Sequence, residues 1–126
     1  MLRILIVEDN HYFRQTLADL ILSHFPEMVL EEAGEGEEAL RKFGLSRPDI
    51  VFMDVNLPGE NGLEITKKIR AFDPAVNITI LTSYDLPEYH ETAKNYGASH
   101  FLSKNSSSAE DILNVIKSVT GTLPNL

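Results

Sequence analysis

Val51-Phe52-Met53-Asp54-Val55-Asn56-Leu57-Pro58-Gly59-Glu60-Asn61-Gly62 passes from an unbroken apolar run into a loop of turn-forming residues. The run begins at Ile50, is strand-length and shows no polar alternation, the pattern of a strand covered on both faces. Asp54 follows its last apolar residue, so a carboxylate stands at the strand's carboxyl end. In open α/β folds that rim is where ligands bind. Taken alone, Asp54 reads either as a loop cap, a common role for Asp, or as a chemical group. The rest of the chain decides between them.

Working outward, residues 2–7 form a second apolar run broken only by Arg3, ending in the adjacent carboxylates Glu8-Asp9 with Asn10 as a helix cap. Phe13, Leu17, Leu20 and Ile21 follow at helical spacing, and Pro26 ends that helix. Residues 28–33 read as a strand and Gly34-Glu35-Gly36 as a turn. Ala39, Leu40 and Phe43 mark a second helix, with Gly44 as its stop signal. Beyond the Asp54 loop, Leu63, Thr66, Ile69 and Phe72 pattern a third helix closed by Asp73-Pro74. Residues 76–81 are the fourth strand, with Thr82-Ser83 at its end. Pro87 suits the first turn of a helix carrying Tyr89, Ala93 and Tyr96, with Gly97 beyond it. Residues 99–102 make a brief fifth strand, then come Ser103 and Lys104. A capping box from Ser107 to Glu110 opens a helix with the stripe Ile112, Val115, Ile116, Val119.

Strand and helix alternate five times, which predicts a doubly wound α/β fold, (βα)5, with a parallel sheet in the flavodoxin-like order 2-1-3-4-5. The 126 residues suit one domain over residues 1–120, with 121–126 a tail or the start of a linker. A hydrophobic fraction of 43% argues against disorder, and a net charge of −8 argues against direct nucleic-acid binding, which needs a basic surface. There is no cysteine, which excludes disulfides, thiolate metal sites and thiol catalysis. The apolar amino terminus is too short to span a membrane and has no cleavage-site pattern, so no membrane association and a cytoplasmic location are expected.

In that strand order the first and third strands are neighbours, so Glu8, Asp9 and Asp54 converge at the topological switch point, joined by Thr82 and Lys104 from the next two strand ends. Clustered carboxylates repel unless a cation joins them, and a hard divalent ion with oxygen ligands, magnesium above all, is the expected partner. No His or Cys base stands in the set. A carboxylate nucleophile, a metal, an ammonium and a hydroxyl are equipment for phosphoryl transfer to Asp54, where catalysis is mainly positioning and charge neutralisation. Singly, each residue has a plainer reading: a cap for Glu8 or Asp9, a β-branched strand residue for Thr82, a solvated Lys104. The joint placement favours chemistry.

These same stretches resemble the receiver domain of two-component response regulators over residues 2–119. The resemblance is carried by Ile4-Leu5-Ile6-Val7-Glu8-Asp9, the run from Met53 to Gly62, Leu81-Thr82-Ser83 and Phe101-Leu102-Ser103-Lys104. It implies a signalling switch rather than an enzyme, with only self-phosphorylation and slow self-dephosphorylation. Asp54 would accept a phosphoryl group from a sensor histidine kinase or phosphotransfer protein. Magnesium would be held by Glu8, Asp9, Asp54 and the backbone carbonyl of Asn56, with Lys104 and Thr82 on the phosphoryl oxygens. Thr82 and Phe101 would form the switch, and Asn56 and Tyr84 would modulate the lifetime of the phosphoryl group. The Asn56–Glu64 run further resembles receivers of the nitrate-regulator type, which are joined to helix-turn-helix DNA-binding domains. That implies control of transcription and a homodimer on phosphorylation.

Asn105 stands where the family commonly has a proline after the lysine, which brings a cis peptide; a non-proline cis bond costs about 3 kcal/mol, so a trans bond or a strained turn is expected. Small Ser83, where alanine is frequent, leaves access to Asp54. His11 reads as solvated, and His24, His90 and His100 have no partner suggested by spacing. Two other readings compete: a phosphatase-like enzyme with an Asp nucleophile, and a pseudo-receiver that binds partners without phosphate. Phosphatases of that kind place a second Asp two residues after the nucleophile on the first strand; here Asn56 holds the offset, on the third. The intact acidic and basic set opposes the second.

Overall fold

The computed structural model describes residues 2–121. Its strands are β1 (Arg3–Val7), β2 (Val29–Ala33), β3 (Ile50–Met53), β4 (Asn77–Thr82) and β5 (His100–Ser103). They alternate with α1 (His11–His24), α2 (Gly36–Ser46), α3 (Gly62–Phe72), α4 (Pro87–Asn95) and α5 (Ala109–Thr120). All strand pairings are parallel, in the order β2-β1-β3-β4-β5, as expected from the sequence.

Strand β3 is apolar at every position, and β1 at all but exposed Arg3, because both faces are covered. Leu5, Val7, Val51, Met53, Ile78 and Ile80 point into one core with Ala39, Phe43, Leu63, Ile65 and Ile69 of α2 and α3. Ile4, Ile6, Ile50, Phe52 and Leu81 point into the other, against Leu17, Ile21, Ile112, Val115 and Ile116 of α1 and α5. Alternate residues of one strand thus serve opposite layers. No described helix is long and apolar enough to cross a membrane.

Several boundaries differ from expectation. Helix α2 runs through Gly44 and ends at Ser46, with Arg47 left-handed (φ 50°) as its cap. Pro48 follows Arg47 and disfavours helical backbone there, so the proline rather than the glycine sets the stop. The capping box of α5 is Ser108 with Asp111, one residue beyond the expected Ser107 and Glu110. The backbone N–H groups of Ser106 and Ser107 reach back to the Ser103 carbonyl, holding 104–107 as a turn and delaying the helix. Phe72 is 58% exposed rather than part of the buried stripe; its ring meets Phe43 edge-on at 6.1 Å and lies under the Arg47 guanidinium at 4.6 Å. Each strand bound lies within one residue of its expected place, and β4 gains Thr82 as its last member. Gly121 (φ 64°) caps α5, and the rest of the expected tail, 122–126, lies outside the described residues.

Candidate functional site

The sheet places the carboxylates before any side chain is considered. Val7 pairs with Ala33 on one side and Met53 on the other, so the chain leaves β1 and β3 at the same level. The Glu8 N–H donates to the Ala33 carbonyl at 2.9 Å and the Asp54 N–H to the Val7 carbonyl at 3.0 Å. These bonds extend the ladder one residue past the strands and fix both acidic residues at its rim. Thr82 and Ser103 pair at the ends of β4 and β5, and the Lys104 N–H donates to the Thr82 carbonyl at 2.8 Å.

Carboxylate oxygens of Glu8, Asp9 and Asp54 lie within 4.8 Å of one another. Glu8 and Asp54 are buried, at 3% and 5% exposure, while Asp9 is exposed. Lys104 reaches over both buried acids: its Nζ is 2.5 Å from Glu8 Oε1 and 3.5 Å from Asp54 Oδ2. Burial pushes the Glu8 carboxyl above its ordinary value; the hydrogen bonds from Lys104 and the Asn10 N–H pull against this, and the charge of Asp54 adds to it.

The two buried acids are held differently. Glu8 has short bonds on both oxygens, from Lys104 and, at 3.0 Å, from the Asn10 N–H. Asp54 has only the long Lys104 contact and a 3.4 Å bond from the Asn56 N–H. Its oxygens are therefore the less committed ones. Asn56 itself is exposed, in the loop that Asp54 opens. Thr82 is fully buried, and its Oγ1 accepts the Tyr84 N–H at 3.2 Å, which leaves the hydroxyl hydrogen to donate elsewhere. Exposed Ser83 puts no bulk beside it. No cis peptide occurs among the described residues, so the Lys104–Asn105 bond is trans.

All-oxygen donors, negative charge in excess of the single ammonium, and one carboxylate open to water fit a hard divalent cation such as magnesium. Soft or imidazole-seeking metals have no matching donors in this cluster.

Four features escaped the sequence reading. Arg14 donates from Nη1 to the Glu8 carbonyl at 2.7 Å and from Nε to Glu32 at 2.7 Å, tying α1 and β2 to the acidic loop. Phe13, read only as apolar stripe, places its ring 4.2 Å from Lys104 Nζ. His90, for which no partner was expected, contacts Asp85 and lies against Phe101 with ring centroids 3.8 Å apart. Gly62 lies so near the Asp54 carbonyl that a Cβ would sit 1.8 Å from its oxygen. Only the Asn61-Gly62 pair carried a local signal, as a cap and close-packed helix start. The Arg14 and Phe13 contacts join distant elements and become visible only with the strand order.

The family model described as the response regulator receiver domain matches residues 4–117. Transcriptional regulatory protein LnrK of Bacillus subtilis is 34% identical over 119 residues, which cover 94% of this chain and 54% of LnrK. Chemotaxis protein CheY of Halobacterium salinarum is 30% identical over 102 residues, 81% of this chain and 83% of that protein. A two-component response regulator of the LuxR family from Aurantimonas sp. has a solved structure that superposes with a TM-score of 0.85 at 33% identity, covering 94% of this chain and 84% of the other. The chain spans about half the length, or less, of several curated relatives it matches.

Proposed function

Because this chain belongs to the response regulator receiver family of two-component systems, we propose that Asp54 is its phosphoacceptor. The observation that carries the proposal is the asymmetry between the buried acids: Glu8 is tightly bonded, whereas Asp54 keeps a loosely held carboxylate beside an ammonium. An oxygen of Asp54 attacks the phosphorus of a phosphohistidine on a sensor kinase or phosphotransfer protein. The P–O bond forms as the P–N bond breaks, and the imidazole leaves with its electron pair. Glu8, Asp9, Asp54 and the Asn56 carbonyl would hold magnesium, whose chemistry is to neutralise charge on the transferring oxygens. Lys104 turns its ammonium from the carboxylates to a phosphoryl oxygen, and Thr82 donates its free hydroxyl hydrogen to another.

The receiver is a signalling domain, and its chemistry is limited to taking up and slowly losing that group. Phosphorylation draws Thr82 inward, and Phe101, half-buried against the α4 layer, follows. Asn56, two residues after the acceptor, and Tyr84, two after Thr82, are both exposed and govern access of water and so the lifetime of the group. Relatives such as LnrK bear names of transcriptional regulators and are longer than the matched region, which supports a DNA-binding output in a longer chain, of the nitrate-regulator type. We propose further that the domain works in the cytoplasm, dimerises on phosphorylation and, at a net charge of −8, does not itself touch DNA.

Incubation with acetyl phosphate and magnesium should label the protein on Asp54, and Asp54→Asn should abolish the label. Equal labelling of the variant would overturn the assignment. Sustained turnover of an external phosphoester would favour the phosphatase reading instead.

A further inference from the structure

We infer that Phe13 is a positioning residue for Lys104: its ring face forms the third wall of the socket that holds the ammonium beside Asp54. The inference rests on the role proposed for Lys104. An ammonium has three N–H donors and no acceptor. Here one faces Glu8 at 2.5 Å, a second lies toward Asp54 at 3.5 Å, and the ring centroid of Phe13 is 4.2 Å from Nζ. That is well within the roughly 6 Å at which a cation is drawn to an aromatic face. The lysine side chain is only 16% exposed, so water competes poorly for the third direction.

The geometry makes the ring more than filler. Without it, Glu8 is the one close partner of the ammonium, whose contact with Asp54 is the longer of the two. The ring attracts the cation without being a second anion, so it holds Nζ near the acceptor and adds no charge to repel an incoming phosphoryl group. Its position is fixed from both sides. Phe13 packs on the α1–α5 core, and the neighbouring Arg14 clamps the Glu8 carbonyl, so the first turn of α1 sets the acid and the lysine together. Nothing in a local pattern distinguishes this from a plain stripe residue, because Lys104 lies at the far end of the chain.

The test separates ring electrostatics from ring shape. Replacing Phe13 with mono-, di- and trifluorophenylalanine withdraws charge from the ring face in steps at nearly constant volume. The rate constant for Asp54 phosphorylation by acetyl phosphate, at saturating magnesium, should fall stepwise to a total of about fivefold, while the unfolding midpoint stays level. A merely structural phenylalanine would not give a rate graded by fluorine number. In the unsubstituted protein the Lys104 ε-methylene protons should show an upfield ring-current shift that Phe13→Leu removes. A flat or rising series in a protein that labels normally overturns the role given to Phe13 and leaves the acceptor assignment standing. Absence of the ring-current shift overturns the contact itself. Failure of the unsubstituted protein to label overturns the acceptor reading, and this inference with it.

Discussion

Replacing Lys104 with Met tests how the site balances its charge. The change keeps most of the stem and removes the ammonium shared by Glu8 and Asp54, two carboxylates at 3% and 5% exposure. Breaking a buried ion pair from one side costs about 3–5 kcal/mol. Asp9 leaves this site open to water, so the lower figure of ~2–3 kcal/mol applies at pH 8 in chelator. With a denaturant slope of about 1.5 kcal/mol per molar, that is a fall of ~1.3–2 M in the urea midpoint.

The pH dependence of that cost follows from Glu8. Burial already raises its carboxyl, so the folded state binds a proton more readily than the unfolded chain. Stability from such a group is gained as pH falls through the folded value toward the unfolded one, and lost as pH rises back through the folded value. Removing Lys104 removes an interaction that opposes the rise. The variant should therefore recover part of its deficit when the pH is lowered from 8 to 5, where the parent gains less. Magnesium should act in the same direction at pH 8 by supplying the missing positive charge. If saturating magnesium erases about 2 kcal/mol of the deficit, linkage requires the variant to bind the ion ~30-fold more tightly than the parent. Urea titrations at both pH values, with and without magnesium, give all the quantities. A variant within 0.5 kcal/mol of the parent at pH 8 in chelator, a threshold about the size of an ordinary surface substitution, would refute the reasoning.

Other substitutions probe the frame around the site. Gly62→Ala drives a Cβ to 1.8 Å from the Asp54 carbonyl oxygen, a backbone atom, so a loss of at least ~3 kcal/mol and slower phosphorylation are expected; a urea midpoint equal to the parent's would contradict the close approach. Gly44→Ala meets nothing within 4 Å in the middle of α2 and should stabilise by about 0.5–1 kcal/mol, whereas a loss would mean that the helix does not run through this position. Asp9→Asn should weaken magnesium binding by at least the ~tenfold that losing an outer-shell partner produces, measured by calorimetry; unchanged affinity would remove Asp9 from the ligand set.

The strands were legible because a parallel sheet buried on both faces demands apolar runs: residues 50–53 supply an unbroken one, 2–7 one broken only by Arg3, and 76–81 one interrupted by Asn77 and Thr79. The rim acids were legible because each ends such a run and the order 2-1-3-4-5 makes β1 and β3 neighbours. Helix ends were harder. Gly44 and Pro48 are both stop signals four residues apart, and only the left-handed Arg47 tells which one acts. Ser107-Ser108 with Glu110-Asp111 offers two overlapping capping boxes, decided by a turn that the Ser103 carbonyl organises. Contacts such as Phe13 with Lys104, or Arg14 with Glu32, join elements whose approach depends on the whole topology, so no local pattern encodes them.

The structure also speaks to whether Asp54 is a loop cap. This protein contains side chains that do cap, each accepting a backbone N–H at 3.2 Å or less: Asn10, Glu35 and Ser108 take one, at 3.0, 3.1 and 3.2 Å, and two others take a pair. Asn61 Oδ1 accepts the Leu63 and Glu64 N–H groups at 2.9 and 3.1 Å, and Asp73 Oδ1 accepts those of Ala75 and Val76 at 2.8 and 3.2 Å. Both are one oxygen serving two successive backbone donors, the arrangement that stabilises a turn. Asp54 accepts a single backbone N–H, from Asn56, at 3.4 Å, beyond the usual range for a strong bond. The loop after it is held by others: the Gly62 N–H reaches the Val55 carbonyl at 2.9 Å, and Asn61 starts the helix. A carboxylate buried at the sheet rim yet not used by its own loop costs desolvation that the loop does not return. What offsets that cost is the shared ammonium and the cation that the neighbouring acids can hold. Its burial therefore supports the phosphoacceptor role proposed for Asp54 over capping, and Asp54→Asn should leave the loop intact while abolishing the label.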